Sequence, residues 1–375
     1  MVSDVYYPFP GGITEHVHHL SYYLMGKGHD VVILTGNHKN GKKIGLNSVK
    51  VIRVGRGILI PINRSFYSLP VSFHLQSRVR EVLMSQEWDI VHVHGTFSPS
   101  LPLLTLLQSP YTNFMTFHPT HGYSIGFEIF KPILQRAYEN IHGKIAVSKS
   151  AERSISRHFP GDYRIIPNGV DIHRFGPHVM PEDGLREGNE KIILFVGRIE
   201  PRKGLSTLLK AFGKLLKQGE NVRLLIVGDT PLRKVFELKA QKFGNRVKFL
   251  GKVTAEEIPG IYRAADVFVA PATGKESFGI VLIEALASGK PVVASDIDGY
   301  REIISHGVDG FLVEPGNADS LAHHIEKILK NPELAAKMGE MGRRKVMERY
   351  SWEIVSSMVE EYYFEVLENA KKVLR

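Results

Sequence analysis

The sequence predicts an α/β protein made of two doubly wound, mostly parallel sheets. Three observations carry that reading. Short runs rich in Val, Ile and Leu alternate with helical patterns along the chain, as strands buried on both faces do. The runs fall into two series, parted by a stretch without apolar periodicity. The length, 375 residues, suits two domains of ordinary size.

Taken in order, the first series is DVVILTG (30–36), DIVHVHG (89–95), TNFMTFH (112–118) and KIAVSKS (144–150). The second is KIILFVGR (191–198), VRLLIVGD (222–229), RVKFLGKV (246–253), DVFVAPA (266–272), PVVASD (291–296) and GFLVEPG (310–316). Between Phe175 and Lys191 lies GPHVMPEDGLREGNE, rich in Pro, Gly and charge, which reads as a linker. The expected domains are therefore 1–175 and 176–350, followed by a terminal helix over 351–375. That helix starts near Ser351, a good N-cap residue. It carries Ile354, Val355, Met358, Val359, Tyr362, Tyr363, Val366 and Leu367 along one stripe. Only Met1–Ser3 precede Asp4 where a first strand belongs, so the natural chain is expected to begin a few residues upstream.

Hydrophobic content of 43% and charged content of 23% allow sizeable cores and argue against disorder. The formal charge of +9 suits anionic partners. The cations are scattered, with no long basic run, so nucleic acid is not expected as a partner. The chain has no cysteine. Disulfides, thiolate catalysis and cysteine-bound zinc are excluded, and an intracellular setting is favoured. The opening MVSDVYYPFP lacks the pattern of a signal peptide. No apolar run reaches the ~18 residues that span a bilayer, so membrane contact would be peripheral.

The chemistry concentrates in four places. In KESFGIVLIEAL (275–286) a helix over 278–288 is expected to be apolar on every side except at Glu284, with Glu276 in the loop before it. A buried carboxylate needs a partner. The two glutamates stand about 10 Å apart if the segment is helical. That suits the two ends of one elongated ligand, its phosphates lying at the free N–H groups of the first turn. In VGRIEPRKG (196–204), Arg198 and Lys203 follow a strand end, where open α/β sheets bind ligands, and would neutralise a diphosphate. In PFPGGITEHVHHL (8–20), Gly11 and Gly12 open a helix and let the backbone approach an anion, although a plain tight turn has the same pattern. In TFHPTHG (116–122), His118 ends a predicted strand and is the histidine expected to act; His121 follows it. His16, His18, His19, His92 and His94 read as structural. No metal site is expected, since no helical i, i+4 histidine pair comes with a carboxylate.

Together these motifs resemble the retaining glycosyltransferases of family 4, which have the GT-B architecture of two facing Rossmann-like domains. The signature is Glu-x7-Glu, here Glu276 and Glu284, with Arg198, Lys203, PNGVD (167–171) and the Gly11–Gly12 loop in support. Within the family the chain looks most like phosphatidylinositol mannosyltransferases that use GDP-mannose, through DIVHVHGTFSPSLPLL (89–104), TFHPT (116–120), GKIAVS (143–148) and GKESFGIVLIEA (274–285).

The resemblance implies that 1–175 binds the acceptor, that 176–350 binds the nucleotide sugar, and that the terminal helix returns to the first domain. It implies that Glu284 binds ribose hydroxyls and Glu276 sugar hydroxyls. Arg198 and Lys203 would hold the diphosphate with the backbone of Gly12, Phe278 and Gly279. His118 would contact the sugar, and the base would lie against Lys252–Val253. The implied reaction transfers a hexose with retention, by front-face attack, without metal or other cofactor. The acceptor would be a sugar or an inositol lipid. Lipid-acting relatives carry a basic amphipathic helix; here 73–88 offers Arg78 and Arg80, balanced by Glu81 and Glu87. Two other readings stand beside this one. One is a family-4 enzyme using a UDP- or ADP-sugar and a soluble acceptor. The other is a non-catalytic nucleotide-sugar-binding subunit, which would have no need of His118, Arg198, Lys203 and both glutamates together. An NAD-dependent dehydrogenase is excluded, since neither glycine turn has the dinucleotide fingerprint.

Overall fold

The structure, a computed structural model, describes residues 1–9, 11–37, 49–62, 65–118, 128–274 and 276–373. His121 lies outside the described residues. The chain divides into two compact units, Met1–Gly169 with Trp352–Arg375, and Val170–Ser351. Residues 170–175 thus belong to the second unit, not the first. The Val170 N–H donates to Tyr350 O at 2.8 Å, and buried Phe175 meets the Tyr262 ring edge-on.

In the first unit, β1 (Val2–Ser3), β2 (Val32–Asn37), β3 (Lys50–Ile62), β4 (Ser65–Val71), β5 (Ile90–Gly95), β6 (Thr112–Phe117), β7 (Gly143–Ala146) and β8 (Arg164–Ile165) form one sheet of order β4-β3-β2-β1-β5-β6-β7-β8. Every neighbouring pair is parallel except β3–β4, an antiparallel hairpin with Gly57 opposite Pro70. The predicted strand series lacks this hairpin, because Arg53, Gly55, Arg56 and Gly57 break its apolar run. Helices α1 (Gly12–Gly26), α2 (Leu75–Leu83), α3 (Leu101–Gln108), α4 (Lys131–Glu139) and α5 (Lys149–Ser156) cross between strands. The Ser148 hydroxyl caps α5 by accepting from Ala151 N at 3.0 Å, which ends the strand-like reading of 144–150 at Ala146.

In the second unit, β9 (Lys191–Val196), β10 (Val222–Val227), β11 (Val247–Gly251), β12 (Val267–Ala270), β13 (Val292–Ser295) and β14 (Gly310–Val313) form a wholly parallel sheet of order β11-β10-β9-β12-β13-β14. Its helices are α6 (Leu205–Lys217), α7 (Arg233–Ala240), α8 (Ile258–Ala264), α9 (Ile280–Ala287), α10 (Asp298–Arg301), α11 (Ala318–Leu329) and α12 (Pro332–Arg349). Helix α6 shows why they dock. Leu205, Leu208, Leu209, Phe212 and Leu215 make one buried stripe, while Lys210, Lys214 and Lys217 lie off it. The stripe joins Ile193 and Phe195 of β9 and Leu224 and Ile226 of β10 in one core.

The last helix, α13 (Trp352–Val373), belongs to the first unit. Of its apolar stripe, Val355, Val359 and Tyr363 are buried, with Trp352, against Leu20 and Leu24 of α1, Phe114 of β6 and Ile145 of β7. Met358, Tyr362 and Val366 flank them half-buried. Glu360 tightens the contact, pairing with Lys27 at 2.7 Å and His29 at 2.6 Å. No described helix is long and apolar enough to cross a membrane.

Trp352→Ala would leave a large cavity in this cluster and is expected to cost about 3–5 kcal/mol. Hydrogen exchange should show lost protection in α1 and β6, with the strands of the second unit unchanged.

Candidate active site

In an open parallel sheet the ligand cleft falls where successive strands go to opposite sides. In the second unit that place lies between β9 and β12, which are neighbours in the sheet. Arg198 follows β9 and Glu276 follows β12. After β9 the chain makes a 3-10 turn, Pro201–Lys203, and continues into α6 through Gly204. Gly204 has φ 74°, and a Cβ there would stand 1.7 Å from Pro271 O. The turn is therefore pressed onto the segment after β12. The Thr273 N–H fixes it further by donating to Arg202 O at 2.8 Å.

The side chains at this junction form a chain of alternating charge. Arg198 Nη1 stands 3.3 Å from Glu200 Oε1, and Arg202 Nε 2.9 Å from Glu200 Oε2. Arg202 Nη1 reaches on to Glu276 Oε1, the same oxygen that Lys203 Nζ meets at 2.9 Å. Glu200 has 6% of its side chain exposed, Glu276 11%, Arg198 48%. Burial lowers the Arg198 pKa from its ordinary value, and Glu200 works against that shift. Arg198, Lys203 and Glu276 are thus brought together, through Glu200 and Arg202, which reading of the sequence passed over. The signal was there, since EPRK puts an acid between cations just past a strand end.

Glu284 stands differently from expectation. The helix begins at Ile280 rather than Phe278, because Gly279 takes φ 112° and delays it. It is not apolar and buried all round: Ile280, Val281 and Glu284 are half-buried on one face, while Leu282, Ile283 and Ala285–Ala287 are buried. The Tyr262 hydroxyl donates to Glu284 Oε2 at 2.8 Å. Burial, then the Glu284 charge, pushes the Tyr262 pKa well above its ordinary value, which keeps the phenol a donor. Nothing in the sequence around Tyr262 marks that role. Phe278 is buried beside Tyr350, their ring centroids 5.9 Å apart. Lys252 is exposed and Val253 half-buried beyond β11, with β10 between that strand and β9.

Gly11, Gly12 and His118 belong to the first unit. Gly11 caps α1 and Gly12 is its first residue. His118 follows β6 and is buried, its ring 4.7 Å from that of His16 and 5.8 Å from that of His94. One nitrogen from each of His16, His94 and His118 lies within 4.8 Å of the others, a grouping that could hold a metal ion. His16 Nδ1 pairs with Asn168 Oδ1 at 2.9 Å. Burial pushes the His16 pKa down to about 4 and those of His94 and His118 well below the ordinary value, neighbouring imidazoles adding to the effect. At neutral pH the cluster is uncharged.

Two parallel-sheet units, each doubly wound, with a cationic junction at the switch point of the second, define a glycosyltransferase of GT-B architecture. Residues 180–345 match the family described as Glycosyl transferases group 1, and residues 10–174 match Glycosyltransferase Family 4. The phosphatidyl-myo-inositol mannosyltransferase of Mycobacterium leprae is 35% identical over all of this chain and 98% of its own. That of Mycolicibacterium smegmatis is 34% identical over 97% of this chain and 92% of its own. The crystal structure of a glycosyltransferase from Rickettsia africae shares the fold, with a TM-score of 0.80 at 23% identity over 98% of each chain. The chain belongs to glycosyltransferase family 4.

The histidine cluster predicts a pH dependence. The folded pKa of His16, about 4, lies below its ordinary 6.5, so the unfolded chain binds more protons between those values. Its contribution to stability is full above about pH 6.5 and declines as pH falls toward 4, by about 1.4 kcal/mol per unit per imidazole. Urea midpoints should drop between pH 7 and 5, and more gently in His16→Gln.

Proposed function

We propose that the protein is a retaining hexosyltransferase that moves mannose from GDP-mannose to a hydroxyl of an inositol phospholipid. The observation that carries this reading is the junction of Arg198, Lys203 and Glu276 at the switch point, with Glu284 on the accessible face of the helix that follows. Arg198 and Lys203 bind the diphosphate, and Glu276 and Glu284 bind sugar and ribose hydroxyls. The backbone of Gly12, Phe278 and Gly279 adds hydrogen bonds to phosphate. His118 contacts the sugar as a neutral imidazole, and the base rests against Lys252–Val253. The division of labour follows: Met1–Gly169 with the terminal helix takes the acceptor and Val170–Ser351 the donor.

In the reaction the bond from the anomeric carbon to the diphosphate breaks, and its electron pair leaves with the phosphate oxygen. The acceptor oxygen bonds the same carbon on the same face, and its proton passes to the departing phosphate. The two cations stabilise the charge as it develops, and positioning supplies much of the remaining rate. The names of the mycobacterial relatives support the donor sugar and the lipid acceptor. In segment 56–84, Ile58, Val71, Phe73 and Met84 are exposed apolar side chains that suit a bilayer interface. Arg78 in the same segment is paired with Glu81 at 2.7 Å, so the attachment is peripheral and weakly electrostatic.

Nucleotide release should be measured with GDP-mannose, UDP-glucose, UDP-N-acetylglucosamine and ADP-glucose, each with and without phosphatidylinositol vesicles. Turnover of GDP-mannose that depends on the vesicles is expected. Preference for another donor, or indifference to lipid, would overturn the assignment of substrates. Glu276→Ala and His118→Ala should each lower turnover by more than about 100-fold with unchanged circular dichroism. A chelator should leave the wild-type rate unaltered.

A further inference from the structure

The ion chain after β9 holds two members for which the donor-binding roles above leave no task. Glu200 is buried, and both its oxygens face guanidinium groups. A buried carboxylate persists only when it is matched, and this one is matched by two cations on one short turn. Arg202 in turn spans two acids, Nε on Glu200 and Nη1 on Glu276. A planar guanidinium suits that span, because it presents donors on two edges in a fixed fork, whereas an ammonium is a single compact point of charge. Lys203 shares the Glu276 oxygen with Arg202. If Lys203 turns from Glu276 to a phosphate, Arg202 remains as the cation on the same Glu276 oxygen.

We propose that Glu200 and Arg202 are positioning residues for the donor, an inference that rests on the functional reading above. Glu200 fixes the guanidinium of Arg198 where the diphosphate binds. Arg202 keeps Glu276 oriented when Lys203 turns from Glu276 to the ligand. The turn's backbone serves the same end, since the Glu200 N–H donates to Arg198 O at 2.8 Å and the Lys203 N–H to Glu200 O at 3.0 Å. Glu200 thus organises both cations of the diphosphate site, one through its carboxylate and the backbone, the other through the backbone alone.

Binding of GDP and UDP by calorimetry, together with steady-state kinetics on the preferred donor, tests this in Glu200→Gln, Arg202→Gln and Arg202→Lys. Glu200→Gln should weaken nucleoside diphosphate binding and raise the donor KM, each by about tenfold. Arg202→Gln should lower kcat by about tenfold or more while diphosphate affinity stays within about threefold of wild type. Arg202→Lys should behave like Arg202→Gln, because a point charge on a flexible stem lacks the fixed fork that reaches Glu200 and Glu276 together. Rescue by lysine would reduce Arg202 to a source of charge and overturn its bridging role. Wild-type affinity and kinetics in Glu200→Gln would overturn the role of Glu200. Should Glu200→Gln fail to fold, the less buried Arg202 variants still decide the bridging claim. Lys203→Ala serves as control. If wild type binds neither nucleotide, or Lys203→Ala binds as tightly as wild type, the reading of the site itself fails, separately from the inference.

Discussion

Burial of short parallel strands on both faces is the constraint on which the molecule depends. Such strands carry mainly apolar side chains in both directions, as in β10, where all of Val222–Val227 is buried and the one charge, Arg223, is matched by Glu187 and Glu190. Charged side chains within such strands need a partner or an exposed position, and the loops that follow the strands carry them more easily. Arg198, Glu276 and Lys252 all follow strands of the second sheet, and His118 does so in the first. The chemistry sits where the packing rules leave room.

The two units solve the problem of polar groups near a core in opposite ways. The second sets acids against cations at its junction, from Arg198 through Glu200, Arg202 and Glu276 to Lys203. Desolvation is offset by pairing. The first unit keeps its groups neutral. His16, His94 and His118 lie close together because burial holds the imidazoles unprotonated, so no cation has to be matched. Neutral imidazole donates or accepts without adding charge, which suits contact with a hydroxylated ligand.

Much of this was legible in the sequence, for reasons that also explain the exceptions. Most runs of branched apolar residues mark strands, as parallel strands covered on both faces do, although the run from Ile280 to Ile283 is helical. The β3–β4 hairpin was not legible, since its glycines and arginines mimic a loop and only its partner strand shows it to be extended. The start of α9 was read early because Gly279 looks compatible with a helix until its φ is known. Glu276 and Glu284 stood out by spacing. Tyr262 did not, for its tie to Glu284 joins residues on separate helices. Glu200 and Arg202 were visible as charges, but their pairing depends on the turn that folds them over one another.

The return of α13 has a consequence for the order of assembly. The second unit is one unbroken stretch, Val170–Ser351, whereas the first is written in two pieces with the other unit between them. Leu20, Leu24 and Phe114 acquire their cover of Trp352, Val355 and Val359 only when the far end of the sequence arrives. During synthesis the inserted unit can complete its core while the unit that began first still waits, its apolar face open on the nascent chain. The first unit is thus the last to be finished, although most of it leaves the ribosome before the second.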